Sequence, residues 1–312
     1  MNDILVAIHC LTYNHEPYIR DCLDGFIMQK TNFKFVAIVH DDASTDCTES
    51  IIREFADKYP EIIYPIIETE NQWSKYDGSL DRIMREAIDA TGAKYVAMCE
   101  GDDYWIDPYK LQKQMDILEA DDTLMACATN TLTVSNTGEI ISKYKENVVK
   151  DNKEGRYNLR DFMYTTHQYP TASVVYRRIH IDKVREYCRI TKNPFFGDWN
   201  LWIALHIIGD FYYIDEAMVA YRINPTSVTH SNVKNRRLAL AKANFEIIKN
   251  VQSILPEEYA DVRKELDKTA WIWFNLANAY KHSGKYLHMI GCLIRCELKQ
   301  PGFAWKKIIC KK

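Results

Sequence analysis

The chain has no excess of basic charge, no Cys-x-x-Cys pair, no glycine-rich phosphate loop and no long apolar run, and each absence removes a class of function. With 40 lysines and arginines against 43 aspartates and glutamates, net charge −3, it lacks the basic footprint of a general nucleic-acid binder, so no nucleic-acid partner is expected. The nine cysteines are an odd number scattered mostly through apolar segments. They read as buried thiols in a reducing compartment, not as a disulfide framework or a zinc site. No Gly-x-Gly-x-x-Gly follows the first apolar run and no Gly-x-x-x-x-Gly-Lys occurs anywhere, which excludes the common dinucleotide and P-loop signatures. Met1, Asn2 and Asp3 lack the basic start of a signal peptide, and nothing approaches the length needed to span a bilayer. The expectation is a cytoplasmic protein whose membrane contact is at most peripheral, at the inner face.

What is present, in 312 residues, suffices for a large α/β domain with an appendage. Residues 4–9 are continuously apolar and rich in branched side chains, as in a strand buried on both faces of a parallel sheet. A polar loop follows, then a segment with Ile19, Leu23, Phe26 and Ile27 on one helical face and Pro17 in its first turn. The unit repeats with a strand at 33–39, a loop at 40–46 and a helix through Ile51, Ile52 and Phe55, where Asp46 and Glu49 have capping-box spacing. A third strand at 62–67 contains Pro65, which pushes it to an edge, and a helix at 78–90 precedes a fourth strand at 94–99. Alternating strands and helices predict an α/β fold with a mainly parallel central sheet. Beyond it the pattern predicts strands at 124–134, 171–176, 211–214 and 218–221, helices at 110–119 and 200–208, and a loop over 138–156.

After about residue 230 only helical patterns occur, at 237–255, 257–282 and 285–298, so the expected domains are 1–230 and a helical C-terminal region, 231–312. Trp271, Leu276, Ala277, Ala279 and Tyr280, followed by Gly284, Tyr286 and Pro301, resemble one helix pair of the tetratricopeptide type. A single pair cannot form a solenoid, so it is expected to pack on the main domain or on a partner. Residues 305–312 mix apolar and basic side chains, as either a solvated terminus or a membrane-surface contact would.

The chemistry concentrates in Glu100-Gly-Asp-Asp-Tyr-Trp105, three carboxylates around one glycine at the end of the fourth strand. Ligands of open α/β sheets bind outside the carboxyl ends of the strands. Carboxylates this close repel one another unless a cation intervenes, and hard oxygen donors suit Mg²⁺ or Mn²⁺ shared with substrate phosphates. The other reading is an acidic turn ahead of the helix that Asp107 and Pro108 open. Two further polar loops, at Thr12, Tyr13 and Asn14 and at Asp41 to Asp46, follow strands at the same sheet edge and can converge with it.

These three loops together resemble family-2 glycosyltransferases of the GT-A fold, over roughly residues 4–230. The resemblance rests on Thr12-Tyr-Asn14 with His15 and Glu16 beyond it, on Val39-His-Asp-Asp-Ala-Ser-Thr-Asp46, and on Glu100-Gly-Asp-Asp-Tyr-Trp105 followed by Asp107-Pro-Tyr-Lys-Leu111. It implies a nucleotide-sugar-binding domain acting by inversion, of the type that builds bacterial surface polysaccharide. Thr12 and Asp42, with Asp41, Tyr13 and Asn14 beside them, are implied to hold the base and ribose of a donor such as a UDP-sugar. Glu100, Asp102 and Asp103 look like the family's DxD element, with Glu100 where aspartate is commoner. Asp102 is implied to ligate Mn²⁺ or Mg²⁺ on the donor diphosphate, with His230 as a second metal position and Arg222 near the phosphates. Asp198 matches the family's base, which takes a proton from the acceptor hydroxyl of a glycan or lipid-linked acceptor. By its position ahead of residues 200–208 it reads equally as a helix cap.

Two rivals come from other classes. A nucleotidyltransferase can use a similar sheet and acidic loop, but it usually carries a basic, glycine-rich loop after the first strand, and residues 10–14 have neither feature. A non-catalytic nucleotide-sugar-binding module would leave the C-terminal helices, and a partner or membrane bound by them, as the working part.

Overall fold

The apolar run at the start of the chain forms β1 (Ile4–Thr12), and its Val6, Ala7, Ile8 and Cys10 are wholly buried. The computed structural model describes residues 4–143, 153–164, 169–191, 197–223, 234–267, 270–302 and 304. Helix α1 (Ile19–Ile27) leads from β1 to β2 (Lys34–Asp41), α2 (Thr48–Lys58) to β3 (Ile63–Ile67), and α3 (Ser79–Thr91) to β4 (Tyr95–Met98). β2 and β4 flank β1 in parallel and β3 adds in parallel outside β2. Pro65 therefore sits on an edge strand, where its missing N–H costs least.

Beyond β4 the sheet is mixed. The remaining elements of this region are β5 (Tyr104–Trp105), α4 (Lys110–Ala120), β6 (Leu124–Val134), β7 (Ile140–Lys143), β8 (Gly155–Tyr157), α5 (Leu159–Tyr164), β9 (Val175–Arg177), α6 (Ile181–Ile190), α7 (Gly197–Ile208) and β10 (Asp210–Arg222). The strand order is β3-β2-β1-β4-β9-β6-β10-β5, with β7 on β6 and β8 on β10. β9 runs antiparallel to both β4 and β6, whereas β6 and β10 are parallel.

Three expectations are corrected. The loop expected over 138–156 contains two strands, β7 and β8, held by antiparallel backbone pairing to β6 and β10. Ile140 and Ile141 are both exposed, so no apolar alternation marked β7; a turn at Gly138, with φ +85°, folds it back. The two short strands expected at 211–214 and 218–221 are one strand, β10, with its register broken beside Asp215 and Glu216. Those exposed acids form a bulge that looks like a turn in the sequence. Residues 171–173 make a 3-10 turn, and β9 starts only at Val175.

One core joins these parts: Ile8, Phe26, Trp105, Leu111, Met115 and Val219 belong to a single buried cluster. Lys110 lies within it, fully buried, its Nζ donating to Gln114 Oε1 at 2.7 Å and standing 4.2 Å from the Trp105 ring centroid. Gln114 Nε2 donates to the carbonyls of Cys127 (2.7 Å) and Ser173 (2.9 Å), and Trp105 Nε1 donates to Ala172 O (2.9 Å). Buried polar groups are tolerated when paired, and these pin the 171–173 turn to α4 and β6. Burial strips the ammonium of water and lowers the Lys110 pKa to about 7.

By compactness the chain divides into Met1–His180 with Gly209–Pro225, and Ile181–Ile208 with Thr226–Lys312. The second unit takes in α6 and α7, ahead of the boundary expected near 230, because α6 packs on α7 and on α8 (Lys234–Ile254). Its other helices are α9 (Ala260–Asp267), α10 (Ala270–His282) and α11 (Tyr286–Lys299). The segment expected to be helical over 257–282 begins with a 3-10 turn after Pro256 and is helical over 260–267 and 270–282. α10 and α11 form the expected pair, turned at Gly284 (φ +72°), with Leu276, Ala277, Ala279 and Cys292 buried together with Leu238 of α8. Among the described residues no helix is long and apolar enough to cross a membrane.

The lysine in the core has a measurable signature. Its pKa is about 7 in the folded chain and 10.5 in the unfolded one, so between these values the unfolded chain holds more protons and stability rises with pH. Urea unfolding from pH 7 to 10 should show this rise in the wild type and a flatter profile in Lys110→Met. An identical slope in both would mean that Lys110 does not titrate there.

Candidate active site

The parallel pairing of β1, β2 and β4 brings three loops to one edge. Thr12 and Asp41 are register partners at the ends of β1 and β2, and Thr12 Oγ1 donates to Asp41 Oδ1 at 3.2 Å. Asp41 is fully buried, and its carboxylate also accepts from Ser44 N (3.2 Å) and Ser44 Oγ. Asp42 N donates to Thr12 O (3.0 Å), while both Asp42 carboxylate oxygens accept backbone N–H groups, from Gln72 (2.6 Å) and Trp73 (3.0 Å). The two aspartates thus hold their own loops in place; Asp41 Oδ1 already accepts twice, from Thr12 and Ser44, whereas each Asp42 oxygen accepts once and keeps a second lone pair.

The first loop is laced to the second. Asn14 adopts φ +53°, donates its N–H to Ser44 Oγ (2.8 Å) and accepts from Thr45 N (2.8 Å). Tyr13 beside it is exposed. Asp46, expected as a helix cap, accepts from Thr48 N (3.0 Å) at the start of α2 and also from Glu16 N (3.1 Å). Its capping-box partner does not form: Glu49 pairs with Arg53 instead.

The acidic loop extends β4 along β1, with Cys99 N donating to His9 O (3.1 Å) and Gly101 N to Leu11 O (2.9 Å). Gly101 matters here for the room it leaves and not for a tight turn. A Cβ on it would stand 2.5 Å from Thr12 Cγ2 and 2.9 Å from His15 Nδ1. Glu100 and Asp102 are half-buried and Asp103 is buried. Asp103 Oδ1 accepts from Arg222 N at 2.8 Å. Burial, with the charges of Asp102 and Glu100 beside it, pushes the Asp103 carboxyl well above the usual range.

Arg222 was expected in a loop over the phosphates; it is instead the last residue of β10, buried, with its whole guanidinium engaged. Nε donates to Asp102 O (2.9 Å), one terminal nitrogen to Asn136 O (3.0 Å) and the other to Asp21 Oδ2 (2.8 Å). The rings of Tyr18 and Tyr104 lie 4.8 and 5.1 Å from its central carbon. Arg222 is a clasp that binds the underside of the acidic loop to α1 and the turn after β6.

His15, which follows the Thr12-Tyr-Asn14 motif, belongs to the site as well. Its Nδ1 is buried without a hydrogen-bond partner among the described residues. Burial lowers its pKa, and Asp102, Asp46 and Asp41 oppose that. Asp21 was missed, although Tyr18 and Asp21 share a helical face. Asp198 lies in the second compact unit, exposed in the first turn of α7. The helix starts at Gly197, so Asp198 is inside the helix and not its cap. His230 lies outside the described residues.

The chain that carries these loops is similar in sequence and in fold to known proteins. The Glycosyl transferase family 2 model covers residues 8–185. An uncharacterised protein of Mycobacterium bovis is 31% identical over 278 residues, 85% of this chain and 75% of its own length. The dTDP-rhamnosyl transferase RfbG of Shigella flexneri is 23% identical over 270 residues, covering 80% of this chain and 86% of that one. Among solved structures, S. aureus TarS 1-349 in complex with UDP-GlcNAc superposes with a TM-score of 0.57 at 13% identity, over 97% of this chain and 91% of that one. The mannosyltransferase PcManGT of Pyrobaculum calidifontis, in complex with GDP-Man and Mn²⁺, gives 0.53 at 16% identity, over 97% and 83%. The fold is therefore GT-A-like, and a family match running from β1 through all three loops makes this chain a member of glycosyl transferase family 2, a glycosyltransferase.

Proposed function

We propose that the chain moves a sugar from a nucleotide-sugar donor, a UDP-sugar in the first instance, to a hydroxyl of a glycan or lipid-linked acceptor, with inversion at the anomeric carbon. Its setting would be cytoplasmic, in the synthesis of a surface polysaccharide. The observation that carries this reading is the convergence of the Thr12, Asp41–Asp42 and Glu100–Asp103 loops, locked by hydrogen bonds at the end of the parallel strands. A uracil imide N–H and ribose hydroxyls are donors, and Asp42 offers a fixed carboxylate to receive them, with the fully buried Asp41 behind it holding Thr12 and Ser44 in place. Tyr13 and Asn14 border that side.

A divalent cation, Mn²⁺ or Mg²⁺, fits the donor set. Glu100 and Asp102 supply hard oxygen atoms, and such ions are often held by one or two carboxylates together with substrate phosphates. Asp102 is the residue that would hold the cation, and the resemblance adds His230. Such an ion, when bound, would offset the charge of the leaving diphosphate.

The chain's own residues do the rest. Arg222 and Asp103 fix the acidic loop so that Asp102 does not reorganise as charge develops. Asp198 is proposed to take the acceptor's proton as the acceptor oxygen bonds to the anomeric carbon and the bond from that carbon to the diphosphate oxygen breaks.

Calorimetry with UDP should show binding that depends on Mn²⁺ and weakens by about 10–100-fold in Asp102→Asn. No binding of UDP, GDP or dTDP, with or without metal, would sink the reading. Asp198→Asn should lower kcat by roughly 10²–10⁴-fold with donor binding intact, as loss of a general base does. A variant that keeps full turnover removes Asp198 from the chemistry.

A further inference from the structure

Helix α11 buries one face and leaves the opposite one apolar. Cys292 and Cys296 are buried against α10, whereas Leu287, Ile290, Ile294 and Leu298 are 85%, 48%, 56% and 78% exposed. At 100° per residue these four make one stripe along the helix, on the side away from the packed cysteines. A continuous apolar stripe in water marks a surface that something covers.

The charges around the stripe point to what covers it. Lys285 and Lys299 are exposed at the two ends of the helix, and Arg295, also exposed, lies about 80° round from Leu287 with its guanidinium 5.1 Å from the Trp273 ring centroid. From Lys281 to the end of the chain there are eight lysines and arginines and one acid, although the whole chain carries net charge −3. The one acid, Glu297, has both carboxylate oxygens engaged by the backbone N–H groups of Gly302 (2.6 Å) and Ala304 (2.8 Å). An apolar helix face with cations at both ends, in a segment this basic, is the pattern of a helix lying in the plane of an anionic bilayer.

Two other occupants fit less well. The chain after α11 heads for the other face, since Ala304 is buried with Phe274 and Cys296. A second copy could approach closely at Gly291, where an added Cβ would meet nothing within 4 Å. With cations at both ends of the stripe, however, either orientation of two such helices sets like charges together.

We propose that the outward face of α11 is an interfacial contact that seats the protein on anionic lipid. The contact is independent of the donor-site reading and can stand or fall without it.

The test floats the full chain with vesicles of phosphatidylcholine alone and of phosphatidylcholine mixed with phosphatidylglycerol, with UDP binding read on the same preparations. The wild type should partition to the mixed vesicles and leave them as salt rises. The triple variant L287Q/I294Q/L298Q should lose partitioning on the order of tenfold or more with its circular dichroism and UDP binding unchanged. K285E/K299E should weaken binding to the mixed vesicles. Failure of the wild type to bind, or equal binding by the triple variant, overturns the proposal. So does a wild-type dimer, seen by sedimentation, that the triple variant turns into a monomer. Loss of UDP binding alone would count against the donor site and leave the lipid contact untouched.

Discussion

The acidic loop can lie where it does because one methyl group is missing. Any side chain on Gly101 would drive into Thr12 and His15, and the loop would leave the end of β1. With Gly101 in place, its N–H reaches Leu11 O, Thr12 reaches Asp41, and Asp42 N reaches Thr12 O. Three loops then behave as one rigid edge. Preorganisation of this kind lets a site stabilise charge without rearranging while the reaction runs.

Support for that edge comes from polar groups that a core would ordinarily exclude. Arg222 is tied to α1, to the turn at Asn136 and to the acidic loop, so its burial is compensated at every nitrogen. Lys110 and Gln114 hold the opposite flank, between Trp105 and the turn before β9. Such networks are costly when broken, because the surviving partner stays buried and unpaired. The segment from Trp105 to Gln114 thus carries structural weight that its lack of reacting groups conceals.

The sequence made legible what is local. The strand-loop-helix units, the edge position of Pro65 and the three polar loops all follow from runs of neighbouring residues. What escaped depends on distance or on backbone alone. Arg222 and Asp21 are 201 residues apart, and nothing near either one reports the other. Lys110 sits at the start of a helix, where a lysine is ordinarily solvated; only the fold puts Trp105 beneath it. β7 and β8 are held by backbone pairing, which side-chain periodicity cannot register. Asp215 and Glu216 imitate a turn because a bulge and a turn both expose adjacent polar residues. Asp198 reads as a cap because the apolar pattern starts at 200, yet the helix already includes Gly197, and helix ends are where patterns are least exact.

The detour from Ile181 to Ile208 leaves and rejoins the sheet around a single strand. β9 and β10 lie on either side of β6, and at its start Arg177 Nε bonds Leu124 O while Asp210 is the register partner of Leu124. Departure and return are therefore about two strand spacings, roughly 10 Å, apart. A segment whose two ends lie this close together can change in length without shifting a strand, so the edge carrying the three polar loops is insulated from what happens between Ile181 and Ile208.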